Sequence, residues 1–463
     1  MKKSIDMIHD RLAPSIIRYT IPIILTSILQ LLFNAADLVI VGRFCGSICV
    51  AAVSATGAIT NLIVNLFIGL SVGASVAVAH SIGGKNDEET HQTVHTAFST
   101  ALVGGIILTI VGVIFSEDFL ILMKTPENVL PLSTVYMRIY FGGMIFCMIY
   151  NFCAAILRAA GDSKSPLVFL TISGVVNVLL NVFFVTVLHM NVDGVALATT
   201  ISQGISAVLV TVALMRRTDA CRLMLRKIRF YKKQLFKIIR IGLPAGIQGS
   251  LFSISNVIVQ SSINSFNSDA IMSGNGAASN LEGFVFVIMN AFHQSAVNYI
   301  GQNAGAHNFG RIKKIFAICL GYVAVAGGVA GFSLWFFGKG LLGIYITDSP
   351  DAITYGMIRL SYIAIPYLVC GLMDVSTGAL RGLGSSFVPM VITVLGVCGI
   401  RVAWIYTIFQ IPQYHTQECL YLSYIISWSI TFIVQTIAFI VVYKKKSHSD
   451  PLWQAQKLSR STQ

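Results

Sequence analysis

Apolar runs long enough to cross a lipid bilayer recur along this chain from Ile16 to Val441. A hydrocarbon core ~30 Å thick takes about 20 residues of helix to cross. Inside it a backbone amide has no water to bond, which leaves helices and closed barrels as the spanning structures. Continuous runs of this length read as helices. Only 11% of the 463 residues are charged, against roughly 25% in a soluble globular chain. Charged, Gly and Pro clusters divide the sequence into twelve segments: 15–41, 48–81, 92–115, 128–156, 166–188, 194–215, 235–264, 271–301, 314–337, 351–379, 387–409 and 417–443. The expected fold class is all-α, a polytopic membrane protein of twelve transmembrane helices in two pseudo-symmetric six-helix lobes.

The first run reaches Val41 without a small-residue cleavage site, so it reads as a spanning helix rather than a signal peptide. The formal net charge is +13, yet the Lys and Arg sit in short segments between apolar runs. They do not form the basic patch of a nucleic-acid-binding domain, and the expected electrostatic partner is the anionic lipid surface of the bilayer. With twelve spans both termini lie on one side. That side collects 26 of the 32 Lys and Arg, leaving Arg43, Lys124, Arg138, Lys339, Arg359 and Arg401 for the other. The positive-inside rule makes both termini cytoplasmic in the plasma membrane. The nine cysteines lie almost all in apolar runs with no CxxC pair or zinc spacing, as expected of small buried hydrophobes.

The chain also repeats itself. Pro22, Asn34, Phe44, Gly83 and Asn86 recur as Pro244, Asn256, Phe266, Gly305 and Asn308, a shift of 222. Leu157-Arg158-x-x-Gly161-x-Ser163-x-x-Pro166 recurs as Leu380-Arg381-x-x-Gly384-x-Ser386-x-x-Pro389, a shift of 223. Two six-helix halves of common orientation imply a pseudo-two-fold axis along the membrane normal and a substrate path between them. The expected domains are an N-terminal lobe over 1–215, a basic cytoplasmic linker over 216–234, a C-terminal lobe over 235–443 and a tail over 444–463. Leu223, Leu225, Ile228 and Phe230 in the linker suit either a stretch lying on the cytoplasmic leaflet or a solvated connection.

Ionisable residues at membrane depth are expensive and mark functional sites. Asp37 sits in the first span, Asn177 and Asn181 one turn apart in the fifth, and Thr199 near the start of the sixth. At 1.5 Å per residue all four fall on the order of 5 to 17 Å below the outer surface. Oxygen groups of this kind suit a hard cation or a proton on the carboxylate; Asn and Thr are equally the ordinary glue between membrane helices. Val259 stands where Asp37 would recur. In the second half Glu282 is expected to face a polar cavity. Asp374 is a second candidate there, facing the cavity or pairing near Arg381. His80 and His293 face a cavity or serve as hydrogen-bonded interior histidines. Pro22 and Pro244, inside the first and seventh spans, are candidate helix hinges.

Taken in order, several local pieces resemble the multidrug and toxin extrusion (MATE) family, in its bacterial branch, over nearly the whole chain. They are Ile21-Pro22 with Asp37, Gly83-Gly84, Leu157-Arg158-Ala159-Ala160-Gly161-Asp162-Ser163 and Gly194-Val195-Ala196-Leu197-Ala198-Thr199. The second half adds Gly242-Leu243-Pro244-Ala245-Gly246-Ile247-Gln248, Gly301-Gln302-Asn303-Ala304-Gly305-Ala306 and Gly378-Ala379-Leu380-Arg381-Gly382. The resemblance implies an antiporter that exports amphipathic organic cations, driven by Na⁺ or H⁺ and without another cofactor. It assigns the cation site to Asp37, Asn177, Asn181 and Thr199, and makes Gln248, Glu282, His293 and Asp374 candidate cavity or substrate residues. Asn181 stands where some members have a second aspartate, leaving one carboxylate and the choice of ion open. The stretch Leu251-Phe252-Ser253-Ile254-Ser255 lacks the acid that other members carry in the seventh helix. A monomer is expected, with no nucleic-acid partner. A related flippase of lipid-linked saccharides, or an exporter of a native metabolite, is the alternative. No HExxH, GxSxG or GxxxxGK[ST] signature points to an enzyme or to direct ATP use.

Overall fold

The computed structural model describes residues 4–346 and 349–455, apart from the side chains of Ser47 and Ala58; the end of the expected tail, 456–463, lies outside the described residues. Helices account for nearly all of it, without a strand among the described residues. In chain order they are α1 (Leu12–Phe44), α2 (Ser47–Gly83), α3 (Asp87–Leu122), α4 (Leu130–Gly142), α5 (Met144–Ala159), α6 (Lys164–Val182) and α7 (Val192–Met215). The second half continues with α8 (Lys232–Asn264), α9 (Asp269–Gly305), α10 (Phe309–Tyr345), α11 (Pro350–Ile363), α12 (Tyr367–Gly382), α13 (Phe387–Thr393), α14 (Ile400–Tyr406) and α15 (Gln417–His448).

Among the described residues nine helices are long and apolar enough to span, and eleven spans result if each of two bent pairs counts as one. The remaining expected span is α9, 37 residues long but interrupted by Asn275, Asn280, Glu282, Asn290 and His293. The bent pairs are α4 with α5, at 45°, and α11 with α12, at 49°. Each was expected as one span. Gly143 lies at the first break and Pro366, 223 positions later, at the second. Proline ends its helix by removing a donor, whereas Gly143 lets Thr200 approach to where a Cβ would stand 2.8 Å from its side chain. Two further expected spans contain a π-helical turn, Phe183–Val187 after α6 and Val394–Gly399 between α13 and α14.

The repeat is reproduced in the backbone. Gly161 and Gly384 both take positive φ, 85° and 79°. Their turns close with matching bonds, Gly161 N–H to Arg158 O at 3.0 Å and Gly384 N–H to Arg381 O at 2.7 Å. Lys85 and His307, 222 apart, take φ 51° and 55° after α2 and α9.

The chain divides into two compact units, one of residues 1–6 and 21–246, the other of 7–20 and 247–463. The first turns of α8 therefore belong to the first unit, where two small-xxx-small pairs cross. A Cβ on Gly69 of α2 would fall 2.1 Å from Gly246 N, and one on Gly73 2.3 Å from Ile238 O. Glycines at this spacing let membrane helices approach backbone to backbone. In the second unit the first turns of α1 pack on α9. Thr20 Oγ1 and Ser295 Oγ share a hydrogen bond at 2.8 Å, and Asn298 donates to Tyr19 Oη at 3.0 Å. The 222 shift carries Thr20 onto Gly242 and Gly73 onto Ser295, so one crossing uses glycine where the other uses hydroxyls.

The cores differ. In the first unit small alanines such as Ala74, Ala77, Ala97, Ala101 and Ala154 recur among the larger Phe98, Phe141, Phe152 and Met148; in the second the core includes Phe409, Tyr421, Tyr424 and Trp428. Outward-facing apolar residues, Val325, Val329, Phe332 and Phe336 along α10 among them, suit contact with lipid. The basic segment after α7 folds onto the first unit. Leu223 and Cys221 are buried, and the Met224 N–H donates to His95 Nε2 at 3.0 Å. Leu225 and Phe230 stay exposed. Arg217 forms an ion pair with Asp219. Burial opposes charge on Asp219, but the hydrogen bonds and charge of Arg217 prevail and hold its carboxyl below the usual range.

Candidate functional site

In the first unit α1, α6 and α7 bring the four expected oxygen-bearing residues within hydrogen-bonding reach. Asn181 Nδ2 donates to Asp37 Oδ1 at 2.5 Å and to Asn177 Oδ1 at 3.3 Å. Thr199 Oγ1 lies 3.4 Å from Asp37 Oδ2 and receives Asn177 Nδ2 at 3.4 Å. The i, i+4 spacing on α6 puts both asparagines on one face, and both are buried while Asp37 is partly accessible. No cation neutralises Asp37 among the described ion pairs. Asn181 Oδ1 is buried without a hydrogen-bond partner. A carboxylate, two amide oxygens and a hydroxyl form a donor set suited to a hard monovalent cation, and the carboxylate alone suits a proton. Tyr136, close enough to sense the charge of Asp37, was not singled out from sequence; its i, i+4 partner Tyr140, stacked at 6.2 Å, was the available signal.

The second unit holds two clusters. Glu282, expected to face a cavity, is 2% exposed, and both its oxygens are taken by Arg359, at 2.8 and 2.7 Å. Arg359 also donates to Asn275 Oδ1 at 2.6 Å, which accepts from Tyr421 Oη as well. Arg359 and Arg401, assigned from sequence to the outer side and helix ends, are both buried. The second cluster gathers three of the cavity candidates around Arg381. Its Nη2 donates to Gln248 Oε1 at 2.8 Å, its Nη1 lies 3.4 Å from His293 Nε2, and Asp374 feels its charge. His293 Nδ1 is 2.7 Å from the carbonyl of Asp374, the interior-histidine arrangement. Pro22 and Pro244 lie within continuous helices, each within two residues of the point where its helix passes from one unit to the other.

These features define a duplicated, polytopic helical membrane protein with isolated polar clusters at membrane depth. The MatE family model matches residues 22–183 and again 244–407, two stretches that begin at Pro22 and Pro244, in the register of the internal repeat. The chain belongs to this family. It is 28% identical over 438 residues to the probable multidrug resistance protein YoeA of Bacillus subtilis, covering 92% of this chain and 93% of that protein. A second B. subtilis relative, the probable multidrug resistance protein YpnP, is 29% identical over 402 residues, 86% and 89% of the two chains. The fold is shared with a MATE crystallised in complex with MaL6, at TM-score 0.90 and 18% identity over 97% of this chain and 100% of that one. It is shared too with the Vibrio cholerae MATE transporter VcmN in its bent form, at TM-score 0.85 and 19% identity over 94% and 98%.

Proposed function

We propose that this protein is a cation-coupled antiporter that exports amphipathic organic cations across the plasma membrane by alternating access, with Na⁺ or H⁺ as the coupling ion. The multidrug resistance names of its relatives support the substrate class. The observation that carries the coupling is the set of Asp37, Asn177, Asn181 and Thr199: one carboxylate without a basic partner, surrounded by neutral oxygens. Binding a proton or Na⁺ there removes a charge from the interior of the first unit, and shifts the conformational balance only insofar as one state binds the ion better. Pro22 and Pro244 serve as hinges, and Gln248, His293 and Asp374 line the polar part of the substrate route. Glu282, saturated by Arg359, is left out. The monomer is the transporting species, with both termini cytoplasmic and the lobes joined through 216–234.

Purified protein in dye-loaded vesicles tests the coupling. Efflux should follow an imposed Na⁺ or pH gradient, and Asp37→Asn should abolish that dependence while leaving the protein folded by its melting curve. Full gradient-driven efflux in the Asp37→Asn protein removes the site. Which of the two gradients works identifies the ion.

A further inference from the structure

Among the described residues three arginines are buried in the second unit, and in two of them both terminal nitrogens meet polar partners, although Nε of Arg381 meets none. Arg359 has Glu282 and Asn275; Arg381 has Gln248, His293 and the charge of Asp374. Arg401 is 0% exposed, and among the described residues its side chain donates one hydrogen bond, from Nε to Ser427 Oγ at 3.2 Å. Nη1 and Nη2 have no hydrogen-bond partner among the described residues, and neither does Nε1 of Trp428, itself 2% exposed. The guanidinium carbon lies 3.9 Å from the Tyr424 ring centroid, 5.5 Å from that of Trp428 and 5.8 Å from that of Phe252.

Guanidinium and indole N–H groups only donate, so they cannot satisfy one another. Aromatic faces offset part of the charge but do not replace hydrogen-bond acceptors, and an unneutralised charge at this depth is costly. The chemistry lacking here is an acceptor with negative charge. The backbone carries an independent sign. Arg401 rides on the seven-residue α14 directly after the π-helix Val394–Gly399, a rare conformation frequent at functional sites.

We propose that Arg401 and Trp428 form an anion site, walled by Tyr424 and Phe252, that takes a compact monovalent anion: either a free halide or the carboxylate of an aromatic amphiphile. The planar fork of the guanidinium receives the charge, the indole N–H adds a third donor, and the rings pack against an attached apolar body. The site would let the second unit bind anionic substrates or co-ions.

The melting temperature of the purified full-length protein tests this at constant ionic strength, with a bulky sulfonate salt replaced stepwise by chloride, and separately by benzoate or its uncharged analogue benzamide. A ligand of the folded state raises stability saturably. Saturation with chloride identifies a free-anion site; saturation with benzoate but neither chloride nor benzamide identifies a carboxylate site. Arg401→Gln should abolish the response. Trp428→Phe, which keeps a ring and loses one donor, should weaken it roughly tenfold. The proposal falls if neither anion gives a saturable shift, or if the shift is unchanged in Trp428→Phe and in whichever Arg401 variant, Gln or Lys, folds. Arg401 is then a cation–aromatic clamp. Neither arm needs transport, so this result is independent of the coupling test at Asp37.

Discussion

Glu282 and Arg359 stand 77 positions apart in sequence and 2.7 Å apart in space. Truncating one member of a buried pair leaves the other charge uncompensated, at a cost of about 3–5 kcal/mol. Glu282→Ala should therefore lower the melting temperature sharply, whereas the double change Glu282→Gln with Arg359→Met should recover much of the loss. In the first unit Thr199→Val keeps the side-chain shape and removes one oxygen. It should raise the cation concentration for half-maximal efflux about three- to tenfold, the worth of one ordinary hydrogen bond, as read from vesicle transport. The four-residue cluster around Asp37 was legible in the sequence because its members share a depth and two share a helix face. The Glu282 pair was not. Its partner sits near a helix end in the hydropathy pattern, and nothing local to Arg359 or Arg401 distinguishes a buried guanidinium from one that reaches the membrane surface.

At the scale of elements, the twelve spans were visible as apolar runs, but their shapes were not. Hydropathy does not sense a bend, so the breaks at Gly143 and Pro366 and the two π-turns emerge only in the folded helices. The Gly69/Gly73 and Gly242/Gly246 pairs were present in the sequence as small-xxx-small spacings, and which helix each meets is a tertiary fact. Gly69→Leu would drive a side chain into the α8 backbone. It should strongly reduce folded yield and melting temperature, whereas the same change at Gly57, where a Cβ meets nothing within 4 Å, should do little. The segment after α7 responds to acid. Asp219 has a folded-state pKa below its unfolded value of ~3.9, so its contribution is present above that value and is lost as pH falls through the lower, folded one. Hydrogen exchange of residues 217–224 should accelerate in that acid range, and Asp219→Asn should remove the pH dependence.

For the molecule as a whole, duplication was readable because turns preserve register, as Gly161 and Gly384 do through positive φ. The exchange of helix beginnings was not readable, since equal apolar runs carry no record of which bundle they join. That exchange has a consequence for biosynthesis. Thr20 finds its partner Ser295 only 275 residues later in the chain, on the order of 15 to 55 s of translation at ~5–20 residues per second. The first unit, in turn, needs residues 232–246. A membrane-inserted fragment ending at 250 should thus resist protease better than one ending at 231. Until α9 emerges from the ribosome, the amino-terminal turns of α1 are an unmatched polar strip, and a nascent chain stalled before that point should be the form that quality-control proteases take first.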